Sequence, residues 1–512
     1  MCQSFVPLLQ QSIEHFEDAA APGSTIMKIS GQRMMLEAIN GFLSRKLLIV
    51  LVVGLGTYFT LKTRFVQLRY FLHMFKVFKD SLTSSSAQIS SFQALMLSLA
   101  GRVGAGNIAG VGVAVTMGGP GAVFWMWVTA LVGMATTLME CSLAQLYKRK
   151  DASGQFYGGP SFYIEYGLNK RWLGVLMAIL LTVTFGFSFN GLQSHAVTHS
   201  LQNAFGIEPT HSGIVLAVVL GLVFVGGIKR IAKVADLLVP VKTLAYVAVT
   251  LYVIVLQFDH VPMMLLTIIK SAFGLDQAFG GLIGSAIVMG VKRGVFANEA
   301  GLGSAPNVAA VAEVRHPISQ GVVQAFSVFF DTFVICTCTA LLILLSGFYT
   351  AGFAGDGLVL TQNSLAAVVG DWGRIFISAA LALFVFTSIL YNYYLGENNL
   401  KFILGESRKV LLAYRAVVLA LILWGSMEDL STVFAFADIT MTLSALVNLV
   451  ALTLLCKVGL RLLADYDKQR KAGVTEPVLT ASAFQDVNID QSIWAQQPPT
   501  PLDNPAVVVS HR

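Results

Sequence analysis

Charge is what this sequence has least of. Only 12% of its 512 residues are Asp, Glu, Lys or Arg, about half the share a soluble chain carries. A 55.1 kDa chain so poor in charge cannot cover a water-facing surface, which excludes a soluble enzyme or a disordered scaffold. Cysteine is scarce as well. Cys2, Cys141, Cys336, Cys338 and Cys456 lie mostly within apolar runs, so neither a disulfide framework nor a zinc site is expected. An H-E-x-x-H motif, a nucleophile paired with a base, and repeated pore segments with rings of like charge are all missing. Their absence argues against a membrane-embedded enzyme and against a channel. The net charge of +6 is not carried on a soluble domain, so nucleic acid is not an expected partner.

What the chain does have is apolar length. AVILMFWYC make up 55% of it, with 46 glycines and 34 phenylalanines, and the mean hydropathy is +0.71. These values describe a polytopic, all-α membrane protein whose partner is the lipid bilayer. A bilayer core of about 30 Å takes about 20 apolar residues per helix. Eleven candidate spans follow: 46–61, 92–117, 122–147, 172–204, 213–228, 236–257, 278–291, 319–347, 372–395, 410–425 and 430–457. Residues 1–44 lack a signal peptide's apolar core and cleavage site and are expected to lie outside the membrane. Residues 458–512 are polar, with Gln-Gln-Pro-Pro-Thr-Pro at 496–501, and are expected to form a largely disordered cytoplasmic tail.

The basic residues set the orientation. With the N-terminus outside, 25 of the 34 Lys and Arg residues fall in cytoplasmic segments, Lys292 and Arg293 among them, and one, Lys270, in an outer loop between spans. Such a split predicts an outside N-terminus and a cytoplasmic C-terminus.

Two glycine-rich interruptions occupy matching places. One is Gly101-Arg102-Val103-Gly104-Ala105-Gly106-Asn107-Ile108-Ala109-Gly110, in the second span. The other runs from Gly290 to Gly303 around Phe296, Asn298 and Glu299, at the seventh. Five spans separate their starts, as an inverted repeat requires. Unwound backbone there would offer amides to a carboxylate and carbonyls to a cation, the arrangement of a secondary transporter. Close helix packing is the other use of such glycines.

At these residues the chain resembles the sodium:alanine (alanine or glycine:cation) symporter family. The resemblance is carried by the run Gly118-Gly119-Pro120-Gly121-Ala122-Val123-Phe124-Trp125-Met126-Trp127, by Gly158-Gly159-Pro160-Ser161, and by Asn298-Glu299-Ala300-Gly301-Leu302-Gly303-Ser304-Ala305-Pro306. Gln320-Gly321, Asp331-Thr332 and Asp438 add to it. It implies one extra N-terminal helix before a five-plus-five inverted repeat of the neurotransmitter:sodium symporter (LeuT-like) type, in a transport domain of residues 45–457 with repeats about 90–257 and 265–457. The implied activity is inward, sodium-coupled symport of small neutral amino acids, alanine and glycine, across a bacterial plasma or inner membrane. A proton-coupled or glutamine-preferring carrier of the same fold stands as the alternative. No cofactor is implied beyond sodium as co-substrate.

The resemblance places sodium among Ala100, Val103, Phe384, Thr387 and Ser388. Bonding of Thr387 and Ser388 back onto their own helix is the competing use of those hydroxyls. It places the substrate at Gly104, Gly106, Asn107, Gln193, Phe296, Asn298 and Tyr391, with Gln193 open to a purely interhelical role. Tyr391, where relatives often carry tryptophan after a glycine, is expected to wall a pocket that admits more than a methyl group, unless Leu390 refills the space. Glu140, Glu299 and Asp331 are carboxylates near membrane depth. Arg102 and Arg293 are their candidate partners, with closure of a cytoplasmic gate one possible role. Lys242 pulls two ways. A fifth-core-helix lysine takes the place of the second sodium in some proton-coupled carriers of this fold, but a position within two turns of the membrane edge lets it snorkel, which is the expected outcome.

Overall fold

A computed structural model describes residue 41 and residues 43–494, apart from 84–87, 152–153, 276–282 and 351–355. Most of the expected N-terminal segment, the first residues of the 278–291 span and the proline-rich stretch at 496–501 lie outside the described residues.

The described chain is almost entirely helical. In order come α1 (Val50–Lys62), α2 (Phe71–Thr83), α3 (Ser91–Arg102), α4 (Gly106–Gly118), α5 (Gly121–Leu146) and α6 (Arg171–Phe205). There follow α7 (Pro209–Phe224), α8 (Gly227–Leu256), α9 (Val261–Ala272), α10 (Ile283–Asn298), α11 (Ala305–Ala309) and α12 (Pro317–Leu345). The last are α13 (Gly357–Val369), α14 (Trp372–Leu404), α15 (Arg408–Met427), α16 (Leu430–Leu454) and α17 (Cys456–Lys471). Two short strands, Arg149–Lys150 and Phe156–Tyr157, form an antiparallel hairpin after α5.

Among the described residues seven helices, α5, α6, α8, α12, α14, α15 and α16, are long and apolar enough to cross a membrane; α3 and α4, bent by 51° at their break, make an eighth. The helices α1 and α7 are shorter, and α10 carries Lys292 and Arg293 and ends at the second break. The element order repeats: a broken pair (α3/α4, then α10/α11) opens each half, and four longer helices follow.

Local chemistry sets the breaks. A capping box starts α3, with Ser90 accepting from the Gln93 amide while the Gln93 side chain accepts from the Ser90 amide; it satisfies two of the end amides that a helix leaves unpaired. The glycine run then ends α3, and Val103 leaves helical geometry at φ −78°, ψ 77°. At the second break the turn needs left-handed backbone. Gly301 (φ 80°) and Gly303 (φ 85°) adopt it freely, and Glu299 adopts it at φ 54° despite its side chain, a strained state of the kind that clusters at functional sites.

Helices α10 and α12 pack on α5, while α6 packs on α14 and α15. The first break lies where these two groups meet, with α3 against α12 of one and α14 of the other, and against α8.

The C-terminal region corrects the expectation of a largely disordered tail. Helix α17 continues from the last span, and residues 474–494 fold back to the end of α5, burying Leu479, Phe484, Ile489 and Trp494. Trp494 Nε1 donates to the Leu146 carbonyl at 3.2 Å, and Arg461 pairs with Asp486 at 2.7 Å. The anchors recur at every fifth residue, without the continuous apolar run that marks a span. Beneath Trp494, Lys148 is buried, donates to the Ala312 carbonyl at 2.9 Å, and faces the Phe156 ring at 4.0 Å. Burial pulls its ammonium down to about 7.

Candidate functional site

The five residues expected to hold a cation come together at the first break. Ser388 Oγ on α14 donates to the carbonyls of Ala100 (2.9 Å) and Gly101 (3.0 Å). Thr387 Oγ1 donates to the Phe384 carbonyl at 3.1 Å and to that of Leu383 at 3.2 Å, so the back-bonding to its own helix also occurs.

At the centre of this group sits a side chain expected elsewhere. Lys242 on α8 does not snorkel. It is 1% exposed, its Nζ donates to the Val103 carbonyl at 2.8 Å and bonds Thr387 Oγ1, and it lies 4.9 Å from the centre of the Phe384 ring. The physical reason is the break itself. Val103 has left the helix, and its carbonyl takes a donor from α8. Depth along α8, counted from the sequence, could not show that partner.

The amides of the unwound segment are capped by side-chain carbonyls. Gly104 N donates to Asn107 Oδ1 at 3.0 Å, and Ala105 N to Gln193 Oε1 at 2.9 Å. A Cβ on Gly104 would lie 2.4 Å from Ser388 Oγ and 2.8 Å from Gln193 Nε2, so Gly104, Gln193 and Ser388 adjoin. Gly106 faces the Phe296 ring, which in turn lies 5.0 Å from the Phe189 ring and 6.1 Å from that of Phe434. Asn107 also reaches α12: its Nδ2 donates to Asp331 Oδ1 at 2.6 Å.

The second break is clamped from three helices. Glu140 Oε1 on α5 accepts the Gly301 amide at 3.2 Å. Asn448 on α16 donates to both Glu140 Oε2 and the Gly301 carbonyl, each at 2.9 Å. Glu299 Oε2 accepts Ser304 Oγ at 2.6 Å and the Tyr391 hydroxyl at 3.1 Å. Asn298 Oδ1 accepts the Ala300 amide at 3.0 Å, and its buried Nδ2 is unpartnered. Tyr391 therefore holds the break: its ring packs against Gly101, where a Cβ would come within 2.2 Å of it, and Leu390 has no emptied wall to refill.

Arg293 is not a partner of these carboxylates. With Lys292 it pairs to Asp438 on α16, Lys292 Nζ at 2.7 Å and Arg293 NH2 at 3.1 Å, all three buried. Neither residue is a loop charge, so two of the 25 counted for orientation belong inside α10. Arg102 donates to the Gln324 carbonyl at 3.2 Å and to Ser327. The sequence signal for the Asp438 cluster was present, one acid in an apolar span and two bases in another, but nothing in it paired them.

On the Phe296–Phe434 side, beside Ala105 and His195, the remaining cavity is about 10 Å³, too little for more than about one water. At the end where Lys150, Lys229 and Lys401 lie, a cavity of about 590 Å³ reaches Tyr394 and Glu397 on α14.

The family model described as "Sodium:alanine symporter family" matches residues 29–481. The "Probable sodium/glutamine symporter GlnT" of Bacillus subtilis is 46% identical over 88% of this chain and 93% of its own length. The "Sodium/alanine symporter AgcS" of Methanococcus maripaludis is 36% identical over 85% and 98%. Among solved structures, a point mutant of the manganese transporter of Eremococcus coleocola superposes with a TM-score of 0.51 over 79% of this chain and 85% of its own, at 15% identity. At that identity the likeness concerns the fold alone.

Proposed function

The chain belongs to the sodium:alanine symporter family, and from that premise we propose that it carries alanine and glycine into the cell together with sodium. The observation that carries this reading is the convergence, at one broken helix, of the Ala100 and Val103 carbonyls with Phe384, Thr387 and Ser388. The substrate carboxylate takes the amides near Gly104 and Gly106, where Asn107 and Gln193 cap the backbone, with Phe296 and Asn298 opposite. Bonds to a charged group are worth about 1.5–3 kcal/mol. Thr387→Ala is therefore expected to raise the sodium concentration for half-maximal uptake by roughly ten- to a hundredfold, before it weakens substrate recognition at saturating sodium. An unchanged sodium activation curve removes Thr387 from the ion site.

A second reading is favoured by Lys242, whose ammonium occupies this same place. In it the lysine replaces the sodium and the carrier is proton-coupled. Concentrative uptake in sodium-free buffer under an inward proton gradient, lost in Lys242→Met, is its signature. A glutamine preference is the corresponding alternative for the substrate, as the name of one relative suggests.

In the membrane the proposal assigns eleven spans, counting α1, α7 and α10 with the eight, an outside N-terminus and a cytoplasmic C-terminus. The 590 Å³ cavity then opens to the cytoplasm. A cysteine at position 20 should react with an impermeant thiol reagent added outside, and one at exposed position 482 should not. Labelling of both from one side sinks the eleven-span arrangement.

A further inference from the structure

Asn392 lies between the first break and the large cavity. On α14 it follows Ser388 by four residues and precedes Asn399 by seven, a spacing that puts the three side chains on one stripe of the helix. At one end of the stripe Ser388 touches the carbonyls of Ala100 and Gly101; at the other Asn399 donates to Asn307 on α11 at 3.1 Å. Asn392 therefore faces the seam between α14 and the helices that carry the two breaks. Two residues further along, Tyr394 lines the cavity.

In this seam Asn392 is 1% exposed, and neither its Oδ1 nor its Nδ2 has a partner. Among the described residues it is the one buried carboxamide with both atoms unpaired. Two other buried asparagines share the defect in part. Asn298 Nδ2, at the second break, is an unpaired donor, and Asn190 Oδ1 on α6, three residues before Gln193, is an unpaired acceptor. Buried polar atoms are nearly always satisfied in native proteins, and each exception calls for a ligand or another specific reason. Methyl and hydrogen side chains, those of alanine and glycine, can satisfy none of these atoms.

We propose that Asn392 reads the side chain of the transported amino acid, and that the pocket takes substrates ending in a carboxamide and, less well, in a hydroxyl. A carboxamide presents one acceptor and two donors and meets Asn392 Oδ1 and Nδ2 in a paired, two-bond contact; a hydroxyl meets them one at a time. Alanine binds through its backbone groups alone and leaves the pair unmet. The assignment rests on the amino-acid symport proposed above and extends its substrate range.

The experiment is competition by unlabelled glutamine, asparagine, serine and alanine against sodium-driven uptake of labelled alanine, in proteoliposomes of wild type, Asn392→Leu and Asn392→Asp. In wild type, glutamine and asparagine compete at concentrations comparable to alanine. In Asn392→Leu the glutamine-to-alanine ratio of inhibitory concentrations rises about tenfold, and the ligand-free melting temperature of the purified protein rises, because the unpaired amide is gone. Asn392→Asp keeps the shape and loses the donor: glutamine is again disfavoured, whereas serine, whose hydroxyl donates to the carboxylate, is not. Failure of glutamine to compete in wild type, or a ratio unchanged in both variants, overturns the assignment. Absence of any sodium-driven alanine uptake by wild type overturns instead the reading on which it rests.

Discussion

Replacing Asp438 by asparagine is expected to destabilise the protein by about 3–5 kcal/mol, the range for removing one member of a buried ion pair. Asp438 is the acid shared by Lys292 and Arg293, and their relative exposures are 2%, 7% and 3%. Without its charge two adjacent cations stay buried with their repulsion uncancelled. Part of the guanidinium is met by the Phe434 ring at 4.3 Å, a contact worth about 2 kcal/mol when desolvated, which does not offset the loss. The same cluster lies against Phe296 and Phe434, on the side where the site is closed, so uptake should fall together with the unfolding midpoint in detergent. A midpoint within about a degree of wild type would mean that the cluster is solvated.

The second large effect is expected at Gly101. An alanine there puts Cβ 2.2 Å from two carbons of the Tyr391 ring. That ring cannot step aside, because it is fully buried and its hydroxyl is tied to Glu299. Overpacking of this kind costs about 1–3 kcal/mol, occasionally more. The only relief is to part α3 from α14, which draws the Ala100 and Gly101 carbonyls off Ser388. Gly101→Ala should abolish uptake, and trimming the ring with Tyr391→Leu should restore part of it. A double-mutant cycle then shows a coupling well beyond the few tenths of a kcal/mol expected of independent sites. Strict additivity would mean that the two residues do not touch.

The sequence reached the all-helical, membrane-spanning architecture and its two breaks through quantities that add along the chain: apolar length and two glycine runs in matching places. It reached the first break for the same reason, since Gly104, Gly106 and Asn107 lie within four residues, and the Thr387–Ser388 pair was legible through family resemblance. What stayed hidden were partners across the fold. Lys242 looks free to snorkel until the carbonyl of Val103, 139 positions away, is seen to receive it. Lys292 and Arg293 read as loop charges because a helix broken soon afterwards, at Glu299, gives too short an apolar run to claim them. Tyr391 read as a pocket wall, since helical periodicity gives a side chain its face but not the carboxylate waiting there. The segment 474–494 was missed because its apolar residues are scattered and form no continuous run.

The claim on which the rest depends is that a sodium gradient drives amino-acid entry through the two breaks. Labelled alanine, glycine and glutamine presented to proteoliposomes with and without an inward sodium gradient test it directly. The predicted result is concentrative uptake that appears with the sodium gradient and collapses when that gradient is dissipated. Robust concentrative uptake in sodium-free buffer under an inward proton gradient alone, lost in Lys242→Met, would contradict it.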